Sequence, residues 1–350
     1  MAAQRILVTG DRGYIGSVLV PMLVDAGHSV SGLDQRYYDG CAFGHFVPLV
    51  ESRKMDIRDI EPEMLAGFDT VIHLAALSND PLGELDENLT YQINHEATVR
   101  LAELAREAGV RRFVMSSSCS TYGRSGDWMI DETSPLNPLT AYGYSKVMSE
   151  ADLTPLANES FSPVFLRHAT VYGLAPMIRF DLVINNLVAY ATSMGEVYLK
   201  SDGKAWRPLV HVEDVARACF AAATAPAAAV HCEVFNIGRT EDNFRVVEVA
   251  EMVAAAVPGS RIVRATHAGP DSRSYRVDFT KATTKLPGFQ PRWTVQAGID
   301  QLYRAFKASD LSGTEFEQDR YSRLAKICAL RGSGALDASM RWQVDRPVPA

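Results

Sequence analysis

Tyr142 and Lys146, in the segment Tyr142-Gly143-Tyr144-Ser145-Lys146, stand one helical turn apart. On a helix they therefore share a face. A phenol titrating at about 10 is a poor base at neutral pH. A lysine ammonium beside it, with further positive charge from a bound group, stabilises the phenolate. Upstream lies Ser116-Ser117-Ser118-Cys119-Ser120-Thr121-Tyr122-Gly123, which offers a hydroxyl to share a substrate oxygen's proton with the phenol. Hydroxyl, phenol and ammonium around one hydride acceptor make an alcohol-oxidising site. The tyrosine–lysine pair alone is a common surface pattern, and the serine cluster gives it weight. Cys119 has two readings: a thiol that moves a proton once its acidity suits, or a small residue packed beneath the loop.

A hydride acceptor needs a cradle, and Thr9-Gly10-Asp11-Arg12-Gly13-Tyr14-Ile15-Gly16 has the form of one. Gly10 permits a sharp turn, Gly13 leaves room for a pyrophosphate, and Gly16 lets a helix pack closely on a strand. With Tyr14 and Ile15 the loop opens that helix, whose free N–H groups and positive dipole end suit phosphates. Asp34, at the end of the next apolar segment, suits both ribose hydroxyls of an adenosine and repels a 2′-phosphate. NAD is therefore expected rather than NADP, with Arg36 the residue that speaks for the latter. Asp56 and Ile57 fall where an adenine ring would lie, although a plain turn acid is an equal reading. Leu74-Ala75-Ala76 are small enough for close approach to a cofactor. His73, before them, reads equally as a strand-end histidine with its hydrogen bonds met. The aromatic stretch 37–46 could touch the adenosine or the edge of a substrate.

These residues need elements to hold them. Residues 4–9 read as a buried strand, and Ile15, Val18, Leu19, Met22 and Leu23 carry helical spacing over 14–27. Further strands are expected at SVSGLD, at 52–55, at 69–75, at RRFVMSS and at FSPVFLRHA. Helices are expected at 86–108, closed by Gly109, and at 140–158. Such alternation predicts an α/β fold, a doubly wound Rossmann-type parallel sheet, with a smaller C-terminal α/β substrate-binding region. That region should contain helices at 180–194, 212–224, 244–257 and 294–308, with short strands EVYLK, EVFNIG, RIVRAT and SYRVD between them. The division expected is 1–173 for the cofactor, 174–312 mainly for substrate, and 313–350 as an extension of unassigned role.

The composition is that of a globular enzyme-sized chain: 350 residues, 47% hydrophobic, 22% charged, net charge −7. No Lys/Arg-rich segment argues for nucleic acid, no long uncharged apolar run argues for a membrane span, and the early glycine loop leaves no room for a leader. A cytoplasmic address is the expectation. Five scattered cysteines without paired spacing argue against disulfides and against a metal site.

Taken in order, TGxxGxxG, the acid after the second strand, HLAA, SSSxxxYG and YxxxK resemble the extended short-chain dehydrogenase/reductase family, in the branch that acts on nucleotide sugars. The resemblance covers about residues 4–308. It implies that Tyr142 is the base, Lys146 the ribose and acidity partner, and Ser118 the hydroxyl on the substrate oxygen. Gly10, Gly13, Gly16, Asp34 and Ser116 then serve NAD. On the substrate side it implies Ser78, Thr170, Asn185, Asn186, Arg207 from Trp206–Asp214, and Arg273 from DSRSYRVD, with Arg276 a rival. A nucleotide-diphosphate sugar is the implied substrate. A homodimer is also implied, through helices 86–108 and 140–158, where Leu89, Ile93, Ala97 and Leu101 suit either a dimer face or packing on the sheet.

Relatives that eliminate water carry Asp-Glu after the Ser118 position, where this chain has Cys119-Ser120. The missing carboxylates favour epimerisation, most simply at C4, with no net redox change. A dehydratase or related modifier using Cys119 or Ser120 is the second reading, and a non-catalytic sensor of NAD or sugar nucleotide the third.

Overall fold

The structure is a computed structural model. It describes residues 2–343 apart from 79, 267, 268, 270–272 and 310, with only the backbone described at 126 and 127. Seven strands form one parallel sheet: β1 (Arg5–Thr9), β2 (Ser29–Asp34), β3 (Ser52–Lys54), β4 (Thr70–His73), β5 (Arg112–Ser118), β6 (Ser162–His168) and β7 (Val234–Ile237). Their spatial order is β7-β6-β5-β4-β1-β2-β3. β1 pairs with β2 on one side, Ile6 opposite Val30, and with β4 on the other, Thr9 opposite His73. The chain thus winds outward in both directions from β1, which leaves a crevice at the carboxyl ends of β1 and β4.

Helix α1 (Gly16–Asp25) follows the glycine loop. The 86–108 helix forms in three pieces, Glu87–Tyr91, a π-helical turn Gln92–Glu96, and α2 (Ala97–Glu107). Leu89, Ile93, Ala97 and Leu101 are buried within the chain's own core, so of their two uses the structure shows packing on the sheet. Helix α3 (Ala141–Leu153) starts where Thr140 Oγ1 accepts from Gly143 N at 3.2 Å.

The smaller region is built differently from its expected outline. EVFNIG does not lie within it. As β7 it completes the central sheet beside β6, Phe235 opposite Leu166. Helix α4 (Val212–Thr224) packs in the same core as α1. Both segments are apolar enough to serve either place, and only the long-range pairing decides. The second region keeps helices Val183–Met194, Val246–Ala256 and Val295–Ala308, packed through Ile184, Val188, Val249, Ile299 and Phe306. Two small ladders join it to the first, Thr170–Tyr172 beside Trp206–His211 and Arg124–Ile130 beside Ser274–Val277, and a third, Glu196–Leu199 beside Arg261–Arg264, lies within it. Helix α5 (Arg323–Gly332) lies in the C-terminal extension, of which 344–350 fall outside the described residues. Among the described residues no helix is long and apolar enough to cross a membrane.

Candidate active site

One cavity of about 790 Å³ runs along the carboxyl ends of the strands. Gly10, Gly13, Asp34, Ser118, Tyr142, Lys146 and Arg207 all line it. Its first end is the glycine loop. Gly10 holds φ +75 and donates to Leu33 O at 2.8 Å. A side chain there would meet Ala75 N at 2.8 Å. At Gly16 a Cβ would collide with the Gly10 carbonyl, so glycine is needed for the helix to start this close to the turn. Tyr14 and Ile15 lie on the wall. The Tyr14 phenol donates to Gly173 O at 2.6 Å and accepts from Asn185 Nδ2 at 3.2 Å. Asn185, expected on the substrate, is not on the wall. It is buried as a brace, accepting from Gly173 N and donating to Arg179 O at 2.9 Å each, while Asn186 takes the exposed place.

Asp34 ends β2 on the cavity wall, its Oδ1 accepting from Arg36 N at 2.6 Å. Burial pushes its carboxyl up. The Arg36 guanidinium turns to the Ser52 carbonyl, leaving only its backbone to Asp34. Asp56 and Ile57 are also on the wall. Burial raises the Asp56 carboxyl, but Arg58 outweighs this through bonds of 2.5 and 3.0 Å and holds it below the usual range. Leu74, Ala75, Ala76 and Ser116 line the middle of the cavity. His73 is buried between the hydroxyls of Thr9 and Thr98, at 2.7 and 2.8 Å.

The reacting end is held by α3. Lys146 is 3% exposed and donates to Ser116 O at 2.8 Å. Its ammonium lies 5.8 Å from the centre of the Tyr142 ring. Burial lowers the lysine to about 8. Burial also pushes the Tyr142 phenol up to about 12, against the pull of the Ser118 hydroxyl that faces it. In the protein alone, burial leaves the phenol a weaker acid than a free tyrosine. Helix α3 is fixed from behind. Glu150 binds the Arg167 guanidinium at 2.6 Å and accepts from the Ser117 hydroxyl at 2.5 Å, and Arg167 reaches the Tyr122 oxygen at 2.9 Å.

Ser118 and Ser120 face the cavity. Cys119 does not, which corrects the reading of it as a proton carrier. It is 1% exposed, its thiol points to the Arg167 carbonyl at 3.3 Å, and burial pushes its pKa far up. The strand ends at Ser118 and a 3-10 turn begins at Cys119, which carries the thiol inward while Ser120 returns to the wall.

At the far end Arg207 and Arg273 share the wall with Ser78, Thr170 and Asn186. Arg207 donates to Trp206 O at 2.9 Å and to the Arg273 carbonyl, and Arg273 pairs with Asp80. Arg276 is not on the wall. Its guanidinium lies 4.9 Å over the Trp206 ring. His211 stacks on Trp293 at 4.0 Å and Asp214 accepts from the backbone of Arg292 and Trp293, so both shape the loop. Several wall residues carry no signal in the sequence. Arg179 pairs with Asp181 at 2.6 Å and donates to the Ser78 hydroxyl at 3.0 Å. Asp80 accepts from Thr140 at 2.7 Å. Tyr275 sits in the DSRSYRVD segment without being singled out by it, and Arg323 is a lone residue without motif spacing. His168 sits in a quoted motif, yet only the structure shows that neither ring nitrogen has a partner. Burial, then Lys146, pushes it down to about 3.

The residues present fit a dinucleotide. A loop without side chains opens a helix, an acid stands at the next strand end, and the buried neutral imidazole of His168 faces the cavity with both nitrogens unsatisfied. Comparison with known proteins agrees. Over 314 residues the chain is 32% identical to UDP-glucose 4-epimerase of Mycolicibacterium smegmatis, covering 87% of this chain and 99% of that one. It is 28% identical to the UDP-glucose 4-epimerase of Bos taurus, with 86% and 94% covered. Among solved structures, MoeE5 in complex with UDP-glucose and NAD superposes with a TM-score of 0.75 at 32% identity, over 87% of this chain and 99% of that chain. UDP-glucose 4-epimerase of Thermotoga maritima, solved with UDP-glucose, gives a TM-score of 0.73 at 26% identity with the same coverage. The sequence profile of the NAD dependent epimerase/dehydratase family matches residues 6–238, more than half of the chain, and the protein belongs to that family.

Proposed function

We propose that the protein is an NAD-dependent nucleotide-sugar epimerase that inverts one sugar carbon, C4 being the expected position. The observation that carries this reading is the wall around Tyr142. Ser118, Tyr142 and Lys146 meet there, and the side chain following Ser118 is a buried thiol where an eliminating enzyme needs an acid or base. The names of the curated relatives support the same reading.

NAD, when bound, supplies a two-electron acceptor and a positive ring. The chain's own residues do the rest. Tyr142 Oη takes the proton of the sugar hydroxyl, with the Ser118 hydroxyl sharing it, and returns it after the sugar has turned. Lys146, fixed on the Ser116 carbonyl, holds positive charge beside the phenolate and carries a donor towards the nicotinamide ribose. Arg207 and Arg273 hold the substrate's diphosphate as the sugar turns, a task that suits guanidinium forks. The middle region mainly serves the sugar nucleotide, with α4 and β7 lent to the sheet. Tyr144 and Met148, exposed on α3, mark the face through which two copies would pair, to be checked by sedimentation.

The test is product analysis. With UDP-glucose and UDP-galactose, NMR should find the two interconverting with no change of mass. A product short by one water would replace this reading with a dehydratase, and no turnover of any nucleotide sugar would leave a sensor. Tyr142→Phe should lower turnover by about 10²- to 10⁴-fold while leaving NAD affinity intact.

A further inference from the structure

The C-terminal extension crosses the end of the cavity that carries Asp34. Its apolar residues Ile327, Leu330, Leu336 and Met340 are buried in one core with Tyr37, Ile57 and Leu82. Several bonds fasten it. Tyr37 Oη donates to Met340 O at 2.5 Å, Trp342 Nε1 to Gln35 O at 2.7 Å, and Arg58 Nη2 to Ser339 O at 2.8 Å. Gln35 and Tyr37 follow Asp34, and Arg58 holds Asp56. The extension is therefore strapped to the loops expected around an adenosine.

Arg323 opens α5 on this strap and lies on the cavity wall, 6% exposed. Its guanidinium stacks 3.9 Å from the centre of the Tyr38 ring, and Nη2 donates to Met177 O at 3.1 Å. No described carboxylate forms an ion pair with it. Asp181 favours its charge but is itself bound to Arg179 at 2.6 Å. A buried guanidinium so placed is costly, and burial does depress its basicity. Its charge is felt at Asp34, the ribose acid, whereas Arg207 and Arg273 serve the opposite end. A carboxylate so near repels a 2′-phosphate, which leaves the diphosphate as the anion to be met.

We propose that Arg323 is a ligand for the diphosphate of the bound dinucleotide, which makes the C-terminal extension part of the cofactor site. This rests on the reading that the glycine loop holds the dinucleotide. Were the unaltered protein to bind no NAD, that reading would fail first and visibly.

Calorimetric titration of the full chain, freed of nucleotide, tests it with NAD, ADP, adenosine, NADP and UDP against Arg323→Met and Arg323→Lys. Arg323→Met should weaken NAD and ADP by about tenfold to a hundredfold and leave adenosine and UDP within about twofold. Arg323→Lys should fall between. The proposal is overturned by unchanged NAD affinity, or by adenosine weakening as much as ADP, since Arg323 would then be a prop for Tyr38. It is equally overturned if UDP alone weakens, which moves the contact to the substrate, or NADP alone, which moves it to a 2′-phosphate. Should Arg323→Met not fold, hydrogen exchange on the unaltered protein decides. Amides of 323–332 should be slowed by saturating ADP and not by adenosine or UDP, and equal protection by adenosine rejects the proposal.

Discussion

The two ends of the cavity are made of different material. At the glycine loop the recognition surface is mainly backbone: turn, N–H groups and missing side chains, fixed by contacts such as Gly10 N to Leu33 O, to which the C-terminal extension brings Arg323. At the opposite end it is charge on long side chains, and those charges already have partners, Arg273 with Asp80 and Arg207 with the Trp206 and Arg273 carbonyls. The first end is complete before any ligand arrives. At the second, the diphosphate of the proposed substrate would compete with Asp80 for Arg273. A fold can thus hold its cofactor tightly and its substrate exchangeably with the same kind of anion at both ends.

Gly10→Ala should break the backbone end most severely. A left-handed turn costs an alanine about 1–2 kcal/mol, and the new methyl meets Ala75 N at 2.8 Å. We expect a loss of at least about 2 kcal/mol in denaturant unfolding together with lost NAD binding; NAD affinity kept at the original level would refute the backbone account. Arg207→Met should act only at the charged end, weakening UDP about tenfold in calorimetry with NAD unmoved. If both ligands weakened together, the ends would not be separable.

Lys146→Met sharpens the contrast through pH. The buried lysine titrates near 8 in the folded protein against an ordinary value of 10.5. Between these values the unfolded chain binds more protons, so the original protein gains stability as pH rises from 8 towards 10.5. The Met variant should lack that gain in melts across the window and lose turnover; an identical pH slope in both proteins would show that the lysine is not desolvated. The smallest effect belongs to Cys119→Ala, which should leave turnover within about twofold and cost on the order of 1 kcal/mol of stability. A large loss of turnover at unchanged stability would return the thiol to the chemistry.

The sequence spoke clearly wherever function needs a local pattern. The glycine spacing, Asp34 at a strand end and the Tyr142/Lys146 turn each depend on a few neighbouring residues, and the structure brings them to one cavity. It was silent where placement depends on distant pairing. EVFNIG reads the same inside either region, and only its register with β6 assigns it. Asp80, Arg179 and Arg323 reach the wall from separate elements, so no spacing announces them. Cys119 kept two readings because a proton-carrying thiol and a packed thiol look alike until the direction of the side chain is known, and the structure shows the packed one.

The Glu150–Arg167 ion pair beneath α3 ties the reacting groups to the sheet itself. Its charges lie too deep for either to lose its partner cheaply. The helix that presents Tyr142 has no route to loosen while the rest of the molecule stays whole, and a warmed sample would keep its catalyst until the moment the whole architecture gives way.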